Sequence, residues 1–280
     1  METAVKKENY KNFYELVGTN YPEEDFVFHS LRGVVRRQFI LSWLKTAAGC
    51  LLDLGCNRGY YTSAYKNGPA IGVDLSFAVL AIAKRRHRKK FFIQGDAQNI
   101  SFLKSSTVNS VLCSEMLEHV PDPAAVFGEC YRVLKSGGQM LLTTPNYKKV
   151  KPTWIDVGEM ADFGISGVQN GKYFHTAFRP EELIELAQNV GFIVLRSGTF
   201  EKEVKYSTRI PVVFFHLVDQ LNRRLFRSKQ LQTVNKKFLD KVSLSIYKCC
   251  SLLKLNTVLC MLVKEGVRSF IVVKKPEQSG

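Results

Sequence analysis

Glu115, Glu118 and His119 put two carboxylates and an imidazole into five residues of chain, Glu115-Met116-Leu117-Glu118-His119. Helical spacing would bring all three to one face, within reach of a single ion or a single proton. His175, in a polar stretch just ahead of Phe178-Arg179-Pro180, is a fourth group of the same kind. Together they can prepare an acceptor hydroxyl, either by taking its proton or through an ion that lowers its pKa. Capping and packing are the plain alternative for Glu118 and His119, and the sequence leaves both open.

A second set of residues has the types a nucleotide-like ligand needs. Leu51 to Gly59, LLDLGCNRG, reads as a buried strand that breaks into a helix through a turn holding Gly55, Cys56, Asn57 and Gly59. Such a turn is expected to leave backbone N–H groups facing a ligand, with glycine where a side chain would block approach. Asp74 ends the next strand, nineteen residues after Gly55, where a carboxylate can accept from both hydroxyls of a ribose. Gly95-Asp96-Ala97 sets another acid at the end of the third strand. A dinucleotide turn wants G-x-G-x-x-G, whereas here the spacing is G-x-N-x-G, and Asp53 at its start would repel phosphate but suit a cation.

The elements that must position these groups alternate. From residue 50 to 145 the pattern runs strand CLLDL, helix near 59–66, strand AIGVDL, helix 76–87, strands FFIQ and SVLCS, helix 121–134 and strand QMLLTT. That rhythm predicts a parallel sheet covered on both faces, with ligands at the carboxyl ends of its strands. Residues 1–46 read as a helical cap and 146–178 as a lid loop with little structure of its own. RPEELIELAQNVGF is a helix with Pro180 at its start and Gly191 past its end. FIVLRSGTF and VRSFIVVKK are strand-like, so that 47–204 with 266–280 form the core and 205–265 an insertion.

LLDLGCNRG, GVDLS, GDA and SEMLEHVPDPAAVFGECYRVLKSGGQMLLTTPN together resemble the successive motifs of class I S-adenosylmethionine-dependent methyltransferases, in the branch that holds the ubiquinone-biosynthesis O-methyltransferases. The resemblance covers about residues 30–200 and the closing strand, and not the insertion. It implies a Rossmann-like α/β fold with a mostly parallel seven-stranded sheet and an antiparallel last strand. It also implies S-adenosyl-L-methionine as cofactor, with the methionine part at the glycine turn, the ribose at Asp74 beside Leu75, and the adenine flanked by Asp96 and Ala97. Ser114 at the end of the fourth strand joins that lining. Arg36 matches a position that in similar enzymes meets the cofactor carboxylate. Small-RNA 2′-O-methyltransferases share an E-x-x-E-H motif, which implies a divalent cation such as Mg2+ held by Glu115, Glu118, His119 and His175. In this reading Glu115, His119 and His175 are the catalytic groups.

Composition bears on the acceptor. The chain carries a formal charge of +15, and residues 205–265 hold 12 Lys plus Arg against 3 Asp plus Glu, a local excess of +9. Val213, Phe214, Leu217, Val218, Leu221 and Leu225 form an apolar stripe there, with Arg223, Arg224 and Arg227 nearby. Val242–Val263 is long enough to span a bilayer, but Lys248 and Lys254 lie inside it at roughly 2.5 to 3.5 kcal/mol each. The insertion therefore reads as an interfacial or substrate-covering element, or as a helical pair packed as ordinary core. A small or lipid-like acceptor such as a polyprenyl phenol, met at an anionic membrane surface, fits this pattern. RNA is the rival, weakened by the absence of an evident aromatic platform, and a non-catalytic cofactor-binding scaffold is a third reading. KRRHRKK, Lys84 to Lys90, reads as a solvated helix end, with phosphate binding as the alternative. The seven cysteines, with no CxxC pair, and the polar N-terminus suit a cytoplasmic protein, and the basic insertion 205–265 is what would associate it peripherally with membrane.

Overall fold

The computed structural model describes residues 7–20, 28–156 and 172–277. By packing, the chain divides into two units. One comprises Met1–Tyr21, Leu41–Gly198 and Arg268–Gly280, the other Pro22–Ile40 and Thr199–Val267. The second unit thus takes in chain from before the sheet as well as the insertion.

The first unit is built on a seven-stranded sheet of order β3-β2-β1-β4-β5-β9-β8. Its strands are β1 (Leu51–Leu54), β2 (Ala70–Asp74), β3 (Phe91–Gln94), β4 (Val108–Ser114), β5 (Leu134–Pro145), β8 (Ile193–Phe200) and β9 (Arg268–Lys274). β1 to β5 pair in parallel, and β9 runs antiparallel to β5 with Leu142 opposite Ile271. All four residues of β1 are buried, which is why LLDL shows no alternation: a central parallel strand has no solvent face. The order turns back at β1 and β4, so the crevice beyond their carboxyl ends is the place for a ligand.

Helices cover the sheet for reasons written into their ends. The helix after β4, Pro123–Val133, starts with Asp122 accepting from the Ala125 N–H at 3.0 Å and Pro123 in the first turn. It buries Val126, Phe127, Cys130 and Val133, the spacing of one helical face. Pro180–Asn189 begins with Glu182 accepting from the Arg179 N–H at 2.8 Å and ends ahead of Gly191 at φ 93°. Lys7–Asn20 reaches back to the sheet's ligand edge: both Glu15 carboxylate oxygens accept N–H groups that open the helix Phe77–Arg86, from Phe77 at 2.7 Å and Ala78 at 2.9 Å.

The stretch 146–178 carries more structure than the loop expected there. Trp154–Asp156 (β6) and Lys172–Phe174 (β7) pair antiparallel as a separate two-stranded sheet. Each strand is only three residues long, too short to show a period in sequence. The rest of the expected lid, 157–171, lies outside the described residues.

The second unit packs Leu31 and Val35 of the helix Leu31–Leu44 against Val204 and Tyr247. Tyr247 donates its hydroxyl to Gln38 at 2.7 Å. Its insertion helices are Lys202–Thr208, Pro211–Leu221 with a π turn Asn222–Phe226, Lys229–Leu252 and Asn256–Met261. Among the described residues no helix is long and apolar enough to cross a membrane.

Candidate functional site

β1 delivers the chain into a turn of left-handed residues, Gly55 at φ 71°, Asn57 at 48° and Gly59 at 79°. A Cβ on Gly55 would come within 2.7 Å of the Met116 side chain, so the two strand-end turns approach where only glycine fits. The turn's donors close on the protein. The Gly55 and Cys56 N–H groups both reach the Val73 carbonyl, at 2.8 and 3.0 Å, and the Gly59 N–H bonds to the Cys56 carbonyl at 2.9 Å. Asp74 accepts from the Asn57 N–H at 2.8 Å and from the Ser76 N–H at 3.0 Å. Of the amides expected to face a ligand, those of Gly55, Cys56 and Asn57 are instead taken by the Val73 carbonyl and the Asp74 carboxylate at the end of β2, and that of Gly59 by the Cys56 carbonyl. Such a turn is no phosphate cradle.

What this edge offers instead is a row of acidic side chains. Asp53, Asp74 and Asp96 stand at or just past the ends of β1, β2 and β3. Asp53 is buried, accepts from the Thr62 hydroxyl at 2.6 Å, and is pushed up to about 7 by burial, with the Thr62 bonds working against the rise. Burial also raises Asp74, opposed by its three backbone donors. Asp96 folds back on Gln98, accepting from its N–H at 2.9 Å and from its side-chain amide at 3.0 Å, while Ala97 is buried beside it. Leu75 packs on the core and Ser114 pairs with Thr143 at 3.1 Å. Cys56 is buried against Val79 and Leu80, and burial raises its thiol well above the ordinary range, which makes it lining and not a nucleophile. Arg36 lies in the second unit, where its Nε meets Glu201 Oε1 at 2.9 Å.

The second cluster is at the end of β4. The helix imagined for residues 115–119 does not form. Glu115 has φ 53°, its N–H bonds to the Thr143 carbonyl at 2.9 Å, and only Leu117–His119 makes a 3-10 turn. The break separates the acids. Glu115 accepts from Thr143 Oγ1 at 3.1 Å and from Arg268 at 2.5 Å. Glu118 turns into the protein, 2% exposed, and accepts from Thr144 Oγ1 at 3.2 Å. His175 follows β7, and the next residue, Thr176, donates its N–H to the Glu118 carbonyl at 2.9 Å.

Glu118, His119 and His175 each present a ligand atom, all within 4.8 Å of one another. The two imidazole rings meet edge-on, centroids 4.9 Å apart, and Tyr14 closes on His119 at 5.2 Å. His119 is pushed down to about 3, first by burial and then by His175; His175 is lowered by burial and by Arg268. Both are neutral near pH 7, and the buried Nδ1 of each has no hydrogen-bond partner. A pair of buried, neutral, unsatisfied imidazole nitrogens beside a buried carboxylate is a donor set for a divalent ion. Tyr14, Thr143, Thr144 and Arg268 carry no local signature that would have marked them, since each reaches the site from a distant part of the chain.

Comparison with known proteins follows the same line. Residues 52–142 match the family described as a methyltransferase domain. The ubiquinone biosynthesis O-methyltransferase of Pseudomonas paraeruginosa is 31% identical over 166 residues, 55% of this chain and 70% of that protein. The enzyme of the same name from Methylococcus capsulatus is 32% identical over 164 residues, 56% of this chain and 68% of that one. Haemonchus contortus phosphoethanolamine N-methyltransferase 2 in complex with S-adenosyl-L-methionine superposes with a TM-score of 0.51 at 18% identity, covering 99% of this chain and 59% of that one. The cyclase SpnF has the same fold, with a TM-score of 0.51 at 15% identity over 86% of this chain and 79% of that one. The self-closed glycine turn, the acids on three neighbouring strands, the 3-2-1-4-5-9-8 sheet and these relatives lead to one conclusion: the chain belongs to the class I S-adenosylmethionine-dependent methyltransferases.

Proposed function

We propose that the protein methylates a hydroxyl of a small, amphipathic acceptor such as a polyprenyl phenol, and that Glu118, His119 and His175 prepare that hydroxyl. The observation that carries the reading is the convergence of these three donors beside the end of β4, on the ligand edge of the sheet. The names of the relatives support the acceptor class.

The residues present fit the cofactor, because a ligand with a cationic centre and a ribose suits three carboxyl groups at neighbouring strand ends and a turn in which the Gly55, Cys56, Asn57 and Gly59 amides are already used. S-adenosyl-L-methionine, when bound, supplies an electrophilic methyl group on a sulfonium. Asp74, held in place by the Asn57 and Ser76 amides, would accept from the ribose hydroxyls. Asp53 would balance the cationic end in its ionised form, and Asp96 with Ala97 would border the adenine. Leu75 and Ser114 line the space between.

On the acceptor side, an imidazole titrating at about 3 is a weak base at neutral pH. Holding an ion suits it better, and a 2-His-1-carboxylate set suits a divalent first-row transition ion better than Mg2+. Glu118, His119 and His175 would hold it, and it would lower the pKa of an oxygen bound there. Glu115 stands one step back, keeping Arg268 near the site. A cytoplasmic enzyme working at a membrane surface accords with such an acceptor. The test is transfer of label from methyl-labelled cofactor to a polyprenyl catechol and, separately, to small RNA, before and after chelation. Label entering RNA and not the phenol overturns the acceptor class, and transfer indifferent to chelator overturns the ion.

A further inference from the structure

The helix Pro211–Leu221 is folded inside out. Its buried positions are Pro211 and Asp219, and Asn222, next in line, is buried too. Val213, Phe214, Leu217 and Leu221 are 56%, 64%, 54% and 55% exposed, and Leu225 and Phe226 in the following turn are each 68% exposed. The polar interior is hydrogen-bonded at Asp219 Oδ2, Asn222 and Asn235, while Asp219 Oδ1 is buried without a partner among the described residues. Asp219 accepts from Arg223 at 2.9 Å, Asn222 exchanges hydrogen bonds with the Ser228 backbone at 2.8 and 3.0 Å, and buried Asn235 donates to the Phe215 carbonyl at 3.0 Å. A water-facing helix buries its apolar stripe, so a hydrogen-bonded arrangement that turns the stripe outward is built to meet an apolar phase.

We infer that this face docks on an anionic lipid surface. The apolar side chains are interleaved with exposed cations: Arg223, Arg224 and Arg227 on one side, Lys236 and Lys237 on the neighbouring helix. The segment 205–265 carries +9. Aliphatic and phenyl groups that enter the acyl boundary while cations meet phosphate are the two halves of interfacial binding. Since no described helix can cross a bilayer, the segment lies in the interface and does not span it. A second copy of the chain would set two faces of the same sign together, and nucleic acid would leave the aliphatic stripe in water. This goes beyond the acceptor reading and holds whichever acceptor is methylated.

The experiment is sedimentation of the full chain with phosphatidylcholine vesicles, with and without phosphatidylglycerol, at low and high salt. The wild type pellets with the anionic vesicles at low salt only. Phe214→Asp with Leu217→Asp reduces partitioning at least tenfold, and changing Arg224, Lys236 and Lys237 to Gln reduces it by about fivefold for each charge removed. Far-UV circular dichroism establishes that both variants keep the wild-type helix content, and the charge variant serves alone if the aspartates disturb folding. The inference is overturned if the wild type stays in the supernatant with anionic vesicles, or if both variants pellet like the wild type. It is overturned equally if the aspartates instead dissolve a dimer seen by analytical ultracentrifugation, which would make the face a contact between copies. Cofactor binding measured on the same samples separates this outcome from failure of the enzymatic reading, since the substituted residues lie outside the proposed cofactor and donor sets.

Discussion

Arg268, the first residue of β9, bonds through Nε to Glu115 Oε2 at 2.5 Å, joining the antiparallel strand to the turn that ends β4. Both side chains are largely buried, at 17% and 12% exposure, so removing one strands the other's charge away from water. Arg268→Met should cost about 2 to 4 kcal/mol in urea unfolding, discounted from the fully buried case for the remaining exposure. It should also raise the pKa of His175, which Arg268 helps to depress, as followed by NMR titration. A variant as stable as the wild type, with His175 unmoved, would mean that the pair is slack.

Asp53 makes stability depend on pH. Its carboxyl, lifted from 3.8 to about 7 by burial, makes the folded chain hold the proton more tightly than the unfolded one. Its contribution is full below about pH 4 and is lost as pH rises toward 7, at roughly 1.4 kcal/mol per pH unit. Urea unfolding of the ligand-free protein should therefore show wild type losing stability relative to Asp53→Asn between pH 5 and pH 8, and the opposite trend would refute the assignment. A cationic ligand favours the ionised form, so cofactor affinity should rise over the same interval.

Asp74→Ala should weaken S-adenosylmethionine binding at least tenfold in calorimetry. That variant removes the acceptor of the Asn57 amide as well as the ribose contact. Gly55→Ala separates the two effects, because it strains φ 71° and crowds Met116 while leaving Asp74 in place. A destabilisation of about 1 to 3 kcal/mol is expected from the strain and the contact together. Equal affinity in Asp74→Ala and wild type would remove the ribose assignment.

The three-donor cluster predicts metal binding that spectroscopy can see without turnover. Co2+ added to the wild type should give visible absorption bands with a nitrogen-ligand signature, and His119→Ala or His175→Ala should weaken the affinity by about tenfold or more. Glu115→Gln should leave the affinity within a few-fold, because Glu115 is engaged with Arg268 and Thr143. Titrations in which Co2+ ignores both histidines would dispose of the site.

The sheet was readable from residue 50 to 145 because β1 to β4 are apolar runs closed by a glycine or an acid, and the helix Pro123–Val133 has its cap in sequence at Asp122 and Pro123. The parallel direction of those strands followed from that alternation; their order did not. The donor cluster was readable only as a list of residue types. Helical spacing for 115–119 assumed a continuous helix, and the left-handed Glu115 removes that premise by sending Glu115 to Arg268 and Glu118 to Thr144. A period of 3.6 also identified the stripe Val213–Leu225 without saying which side of it faces solvent. Only the buried polar set Asp219, Asn222 and Asn235 answers that, and those bonds span up to twenty residues of chain.

β8 and β9 are neighbours in the sheet, and the chain between them leaves and returns at almost one point: the Gly266 N–H bonds to Thr199 Oγ1 at 2.8 Å, and a Cβ on Gly266 would overlap the Phe200 carbonyl oxygen. Because the ends coincide, residues 201–265 can lengthen, shorten or be exchanged without shifting the register of any strand, at little loop-closure cost. The segment is thus a natural site for grafting. The restriction is local: Leu31 and Val35 pack on Val204 and Tyr247, so a transplanted segment has to bring its own cover for those two side chains or leave them bare. Specificity for a surface or an acceptor can therefore diversify here while the cofactor edge stays unchanged.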